Sequence, residues 1–394
     1  KVVSPHPSPL TPHPSPLTPS TTMTPDWRPT TTRETLEARA KILAAIRAFF
    51  AARGVLEVET PILSSTAATA PHLDSFRTHY LGPTAPVAPG FQPSAALALP
   101  CAAQGLELYL HTSPEFAMKR LLAAGSGPIY QICKVFRNGE RGRMHNPEFT
   151  MLEWYRPGFD HHALMIEVEE LITGLLDEAT FGASRDHLTY AEAFANHAGV
   201  NAHAASVQEL RDCAHAHGIE VAPGILPPAT LVEPFAIALP YTSQVSGLAW
   251  DDRDGWLDLL LTHVVGPKLG QQRLCFLYDY PASQAVLARI RPALPAQPYP
   301  VAERFELYVN GVELASGYHE LGDSAEQRRR FEVDIKKRAP SCTTMAPMDE
   351  RLLAALESGL PDCAGVAVGL DRLVMLATGA ATIDEVVSFP LARA

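Results

Sequence analysis

Residues 305–317 read FELYVNGVELASG, and the Asn310-Gly311 pair at their centre leaves the backbone little choice. Both residues accept positive φ, so they form the two-residue turn that joins antiparallel strands whose flanks alternate apolar and polar. Such a turn sets Val309 opposite Val312 and Tyr308 opposite Glu313. Phe305, Leu307 and Leu314 then face a core, while Glu306 and Glu313 share the other face. Two carboxylates aimed at one spot repel unless a cation lies between them, and a hard divalent ion carried by a nucleotide suits them. A solvated strand face carries the same pattern, so the hairpin alone leaves both readings open.

The rest of the chain supplies partners for that hairpin. From Arg33, Leu36, Ala40, Leu43, Ile46, Phe49 and Phe50 fall on one helical stripe that stops at Gly54. VLEVETPIL and LELYLH read as strands. TSPEFAMKRLLAAG reads as a helix with Ser113 at its N-cap and Pro114 in its first turn. IYQICKVF and PEFTMLEWY are strands flanking a polar loop, residues 160–220 are mainly helical, and AEQRRRFEVDIKKRA is a charged helix. GVAVGLDRLVMLATG reads as a glycine-bearing turn into a helix. Hairpin-joined strands surrounded by helices indicate an α/β fold of the α+β type, an antiparallel sheet flanked by helices.

Proline marks the interruptions. HPSPLTP occurs at 6–12 and again at 13–19, so residues 1–32 are expected to form a disordered proline-rich segment ahead of one domain at 33–394. Met23 resembles a natural start, so residues 1–22 are expected to be an appended or misread leader. A surface loop is expected at 82–103, with linkers near 222–240 and 291–300.

The net charge of −11 argues against broad electrostatic capture of nucleic acid, without excluding a local basic groove. The six cysteines include no C-x-x-C pair, the pattern of free thiols in a reducing compartment. No apolar run is long enough to cross a bilayer, so a cytoplasmic protein with no membrane partner is expected.

The loop at 136–155, FRNGERGRMHNPEFTMLEWY, carries the remaining chemistry. Arg137 can fork onto a phosphate, and Asn138, Arg143, His145 and Asn146 add donors. Phe149, Met151, Glu153 and Tyr155 alternate onto one strand face. An acid–phenol pair suits an amine, because the carboxylate pairs the charge and the hydroxyl fixes direction. An ordinary polar hairpin has a similar composition.

These residues together resemble the class II lysyl-tRNA synthetases. FRNGERGRMHNPEFTMLEWY resembles their motif 2, FFAARGVLEVETP their motif 1 with Pro61 at a dimer interface, and GVAVGLDRLVML their motif 3. TSPEFAMKRLL, FLYDYPASQA and ERFELYVNGVELASGYHE complete the order. The resemblance implies a class II synthetase-like catalytic domain, a homodimer, and ATP with Mg2+. It implies that Arg137 and Arg372 are catalytic, gripping the triphosphate, and that Asn138, Gly139, His145, Asn146, Phe149, Glu313, Leu314 and Gly369 line the nucleotide. Glu306 and Glu313 would hold the metal. Ser113, Pro114 and Glu115 would meet the amino-acid end, and Glu153, Tyr155 and Glu320 the side-chain amine. One position departs from the family's pattern, where Gly139 replaces a glutamate and Glu140 follows. Either the loop shifts to bring Glu140 to the adenine, or only backbone contacts remain.

About 32 residues precede the resemblance here, where lysyl-tRNA synthetases carry an anticodon-binding barrel. That compact form resembles the elongation factor P–(R)-β-lysine ligases, paralogues that modify a lysine of a translation factor, and tRNA is not the expected partner. Two details agree with the paralogues: Tyr280-Pro281-Ala282-Ser283-Gln284 in place of YPxExSPL, and Ala367 in place of a glycine. A methyl group at 367 would crowd an α-amine and favour a β-amine. The expected function is ATP-dependent activation of (R)-β-lysine and its transfer to elongation factor P. The alternatives are a truncated synthetase charging RNA and a non-catalytic paralogue. Arg137, Glu306, Glu313 and Arg372 argue against the last.

His161-His162 and His215-x-His217 have no ligands at metal-site spacing and are expected to be structural. The basic runs at 328–330 and 336–338 alternate with acids, as on a solvated helix face.

Overall fold

The computed structural model describes residues 26–71, 73–81, 105–219, 251–295, 297–338 and 347–394. Residues 1–22, the expected loop at 82–103 and the linker at 222–240 lie outside them. No described helix is long and apolar enough to cross a membrane.

Thr32 caps helix α1 (Arg33–Ala52) by accepting from the Thr35 amide, and the helix buries Ile42, Ile46 and Phe50. The buried stripe is thus turned from the expected one, with Leu36 43% exposed. Residues 26–32, counted with the proline-rich segment in the sequence, dock on the C-terminal segment. Thr30 donates from its amide to the Ser388 carbonyl and from its hydroxyl to Val387, and Arg393 pairs with Asp26. VLEVETPIL splits into two short strands, β1 (Leu56–Glu57) and β2 (Leu63–Ser64), which enter different sheets. β3 (Arg77–Tyr80) and β4 (Leu106–Leu110) join β2 in the smaller sheet. Helix α2 (Glu115–Ala123) starts one residue later than expected, at Pro114. The Ser113 hydroxyl still accepts from the Glu115 amide, at 2.9 Å.

β5 (Ile129–Phe136) and β6 (Glu148–Pro157) form an antiparallel pair across the polar loop. Helices α3 (His161–Leu175) and α4 (Glu178–Phe181) follow, then β7 (Arg185–Thr189) and helices α5 (Tyr190–His197), α6 (Val207–Ala216) and α7 (Arg253–Leu260). Next come β8 (Leu274–Pro281), β9 (Ile290–Arg291) and the hairpin strands β10 (Val301–Val309) and β11 (Val312–His319). Helices α8 (Ser324–Arg338) and α9 (Glu350–Gly359) lead to β12 (Cys363–Gly369) and α10 (Leu370–Thr378). The glycine-bearing turn expected before α10 is therefore strand β12, paired with β6 and β11.

The larger sheet runs β1-β5-β6-β12-β11-β10-β8-β7, with β9 beside β10. It is antiparallel except where β1 meets β5 and β7 meets β8. Period-2 alternation gives it two unlike faces. Leu152 and Trp154 of β6, Val366 and Val368 of β12, and Phe305 and Leu307 of β10 join one core with α1, α3 and α10. Their neighbours Glu153, Tyr155, Gly365, Ala367 and Glu306 face the opposite way, into a cavity.

The Asn310-Gly311 turn pairs Val309 with Val312 and Tyr308 with Glu313, as the sequence predicts. One step on, Leu307 pairs with Ala315, so Leu314 is a bulge residue. The extra residue reverses the parity of β11. Glu313, Ser316, Tyr318 and Glu320 all line the cavity as a result, although their numbers do not share a period of two.

Candidate active site

The cavity over this face has a volume of about 1790 Å³, and Arg137, Arg372, Glu313 and Glu153 all line it. Its two ends differ in charge.

The end near the motif 2-like loop sets arginines beside carboxylates. Arg137 leaves β5 with its guanidinium 5.1 Å from the centre of the Phe149 ring, an arginine–aromatic stack on the cavity wall. Arg372, in the first turn of α10, donates to the Glu313 carbonyl at 2.8 Å and lies 3.7 Å from the Glu313 carboxylate. Its second nitrogen donates to Nε2 of His145. Burial, with Arg372 and Arg137 alongside, pushes the His145 pKa down to about 2, so the imidazole is neutral and accepts that bond. Burial and the neighbouring Glu306 raise the pKa of Glu313 against the opposing arginines 372, 304 and 137. Glu306 accepts from Arg304 at 2.5 Å and from the Tyr308 hydroxyl at 2.8 Å.

The other end is anionic. Glu153, 3% exposed on β6, accepts from Ser113 and Tyr155, each at 2.7 Å. Burial and the nearby carboxylates of Glu115 and Glu320 raise its pKa to about 8, against the hydrogen bonds from the two hydroxyls. Lys119 of α2 bridges Glu115 and Glu320, at 2.6 Å to each. Burial opposes the Lys119 charge, but the two carboxylates outweigh it and raise the pKa. Three carboxylates thus meet a single ammonium, and the pocket is built to take a further cationic group. Ala367 stands between its cross-strand partners Glu153 and Ser316, with its methyl group on the cavity wall.

The same arrangement marks a known family. The family model for class II tRNA synthetases (D, K and N) matches residues 21–393. The chain belongs to the class II tRNA synthetases. Among curated relatives it is similar to the elongation factor P–(R)-β-lysine ligase of Vibrio cholerae, 47% identical over 94% of this chain and 99% of that protein. It is also similar to the ligases of the same name from Edwardsiella ictaluri, at 46% identity over 93% and 98%, and Salmonella gallinarum, at 44% over 94% and 99%.

Most residues that the class II resemblance singled out converge in the cavity, including Pro114, Leu314 and Gly369. Asn138 and Gly139 do not. Asn138 is exposed and tied to Asp74 by its side chain, at 2.8 Å, and by its backbone amide. Gly139 takes φ +82, which turns the loop so that Glu140, 5% exposed, lines the cavity 3.7 Å from Arg137. Asn146 lines the wall, but its amide donates to the Glu148 carbonyl and accepts from the Leu391 amide, a positioning role.

Three contributors escaped the sequence reading. Lys119 gave a signal, its i,i+4 spacing from Glu115, but Glu320 lies two hundred positions away. Gly365 leaves space for the pocket, since a Cβ there would sit 2.3 Å from the Tyr155 ring and 2.5 Å from a Glu320 oxygen. Asp371, inside the motif 3-like stretch, accepts from Arg39 and from the Thr150 amide, each at 2.6 Å, and clamps α1 and β6 to α10.

Proposed function

We propose that this protein uses ATP to activate (R)-β-lysine as an adenylate and transfers the β-lysyl group to the ε-amine of a lysine of elongation factor P. That is the activity carried in its relatives' names. The observation that supports it best is the one cavity that holds Arg137 and Arg372 at one end and the carboxylates of Glu153, Glu115 and Glu320 at the other, with Ala367 on its wall. The β-lysine side-chain ammonium pairs with Glu153 beside Tyr155, and its carboxylate points toward Arg137. The carboxylate attacks the α-phosphorus in line, an oxygen–phosphorus bond forms, and pyrophosphate leaves. Arg137 and Arg372 stabilise charge on the phosphoryl oxygens as it develops, with no covalent enzyme group. The neutral acceptor amine then attacks the acyl carbon and AMP leaves.

Glu313 and Glu306 fit a hard divalent ion as oxygen donors, since their mutual repulsion is what a cation would relieve. Arg304 and Tyr308 already occupy both oxygens of Glu306, which makes Glu313 the principal donor. Mg2+, when bound, neutralises phosphate charge. A homodimer through the motif 1-like stretch accounts for Leu56, Ile62 and Leu63, exposed at 57%, 40% and 46%. An elongation factor as acceptor implies a cytoplasmic setting.

The test is mass spectrometry of purified elongation factor P after incubation with this protein, ATP and (R)-β-lysine. One added lysyl residue on a single lysine is expected. An unmodified factor, with RNA charged instead, would overturn the reading.

A further inference from the structure

The opposite face of the sheet carries a second cluster of chemistry-bearing side chains. His319 ends β11 between Tyr318 and Glu320, both of which line the cavity, while its own ring turns to the α3 side. There it meets His161, the first residue of α3, with ring centres 6.5 Å apart and planes inclined by 22°. Glu303 of β10 completes the group, and one ligand atom from each of the three residues lies within 4.8 Å of the other two. His161 is 1% exposed, and neither ring nitrogen has a hydrogen-bond partner among the described residues. Its Nε2 is 3.7 Å from Asp279 Oδ1, too long for a hydrogen bond, and that oxygen is itself buried without a partner. Orphaned buried polar atoms of both kinds at one place call for a ligand.

We propose that His161, His319 and Glu303 form a divalent-cation site of the zinc type, separate from the nucleotide cavity. Two imidazoles and one carboxylate are the donor set that Zn2+ takes, with a fourth position left for water. Coordination through Nδ1 of His161 would leave Nε2 facing Asp279 across 3.7 Å, and a small approach of the two would give the carboxylate–histidine arrangement that orients metal ligands. His319 now bonds Glu303 at 2.7 Å and Asp362 at 2.9 Å, so a metal replaces the proton of the first bond and keeps Asp362 behind the ring. The ion can enter past Asp362, which is 64% exposed at the side chain. Arg291 pairs with Asp279 at 2.5 Å and lies 3.7 Å from Glu303, while Arg289 pairs with Asp362, which limits the negative charge and disfavours Ca2+ or Mg2+. Sequence spacing could not show this site, because its ligands come from three separated elements. The ion stands behind the strand end that carries Glu320 and would fix it.

The experiment uses the full chain, treated with chelator and dialysed, then titrated with Zn2+ against a chromophoric chelator. Co2+ serves as an optical probe of the ligand set. About one equivalent of Zn2+ is expected to bind, and His161→Ala and Glu303→Gln should each weaken it on the order of 100-fold or more. His162→Ala removes an exposed ring that packs 4.0 Å from the His161 ring but no ligand atom, and should weaken binding far less than either ligand variant. Circular dichroism checks the fold, and if His161→Ala does not fold, Glu303→Gln decides. No stoichiometric uptake by the wild type, or equal affinity in the folded ligand variants, would overturn the site.

Discussion

The two ends of the cavity solve opposite problems on one sheet face. At the nucleotide end, neighbouring cations and burial drive His145 neutral, and Arg137 and Arg372 keep their charges open to the cleft. At the amine end, burial and then the crowded carboxylates drive Glu153 toward its protonated form, and a resident lysine holds two of the acids. The first end sets arginines where an anion can meet them. The second stores repulsion that a substrate ammonium relieves. Under the proposed function, substrate choice rests on the amine end and chemistry on the phosphate end, so variants at the two should separate in binding and turnover.

The amine end breaks hardest. Lys119→Met leaves the buried Glu320 facing the half-buried Glu115 with no cation between them, and should cost about 3–5 kcal/mol of stability. The check is a lower urea midpoint at unchanged slope. Arg137→Ala should lower β-lysine-dependent ATP–pyrophosphate exchange by roughly 10²–10³-fold, as loss of one preorganised charge donor does. Its urea midpoint should stay near that of the wild type, so the two ends give opposite signatures.

Finer changes sharpen the contrast. Ala367→Gly removes the methyl group between Glu153 and Ser316 and should shift kcat/KM toward α-lysine by about 1–3 kcal/mol. An unchanged isomer ratio would rule out crowding at this position. The smallest effect is on pH. Because the folded-state pKa of Glu153 is raised to about 8, the folded protein keeps a proton that the unfolded chain has already lost above the ordinary carboxylate range. Stability from this group therefore falls as pH rises through that window. Affinity for the ammonium rises over the same window as Glu153 ionises. The KM for β-lysine should fall several-fold from about pH 6 to about pH 8, and Glu153→Gln should flatten the trend.

Sequence alone revealed what depends on local rules. The Asn310-Gly311 turn fixed the hairpin register, and the alternation Phe149–Met151–Glu153–Tyr155 identified the inward face of β6. The Leu314 bulge was hidden, because an extra residue shows only when its partner strand is known. It decides that Glu313 and Glu320 share a cavity. The place of Asn138 was hidden for a similar reason: its motif gives no sign that Asp74, outside the motif, holds its side chain. Gly365 is informative only once Tyr155 and Glu320 are seen on either side of the missing side chain.

The account depends most on both ends acting on one molecule at once. ATP–pyrophosphate exchange, measured with (R)-β-lysine and with α-lysine in turn, tests this directly. Exchange faster with the β-isomer, and depressed by both Arg137→Ala and Glu153→Gln, is the predicted result. Exchange absent with both isomers, or insensitive to both substitutions, would contradict it.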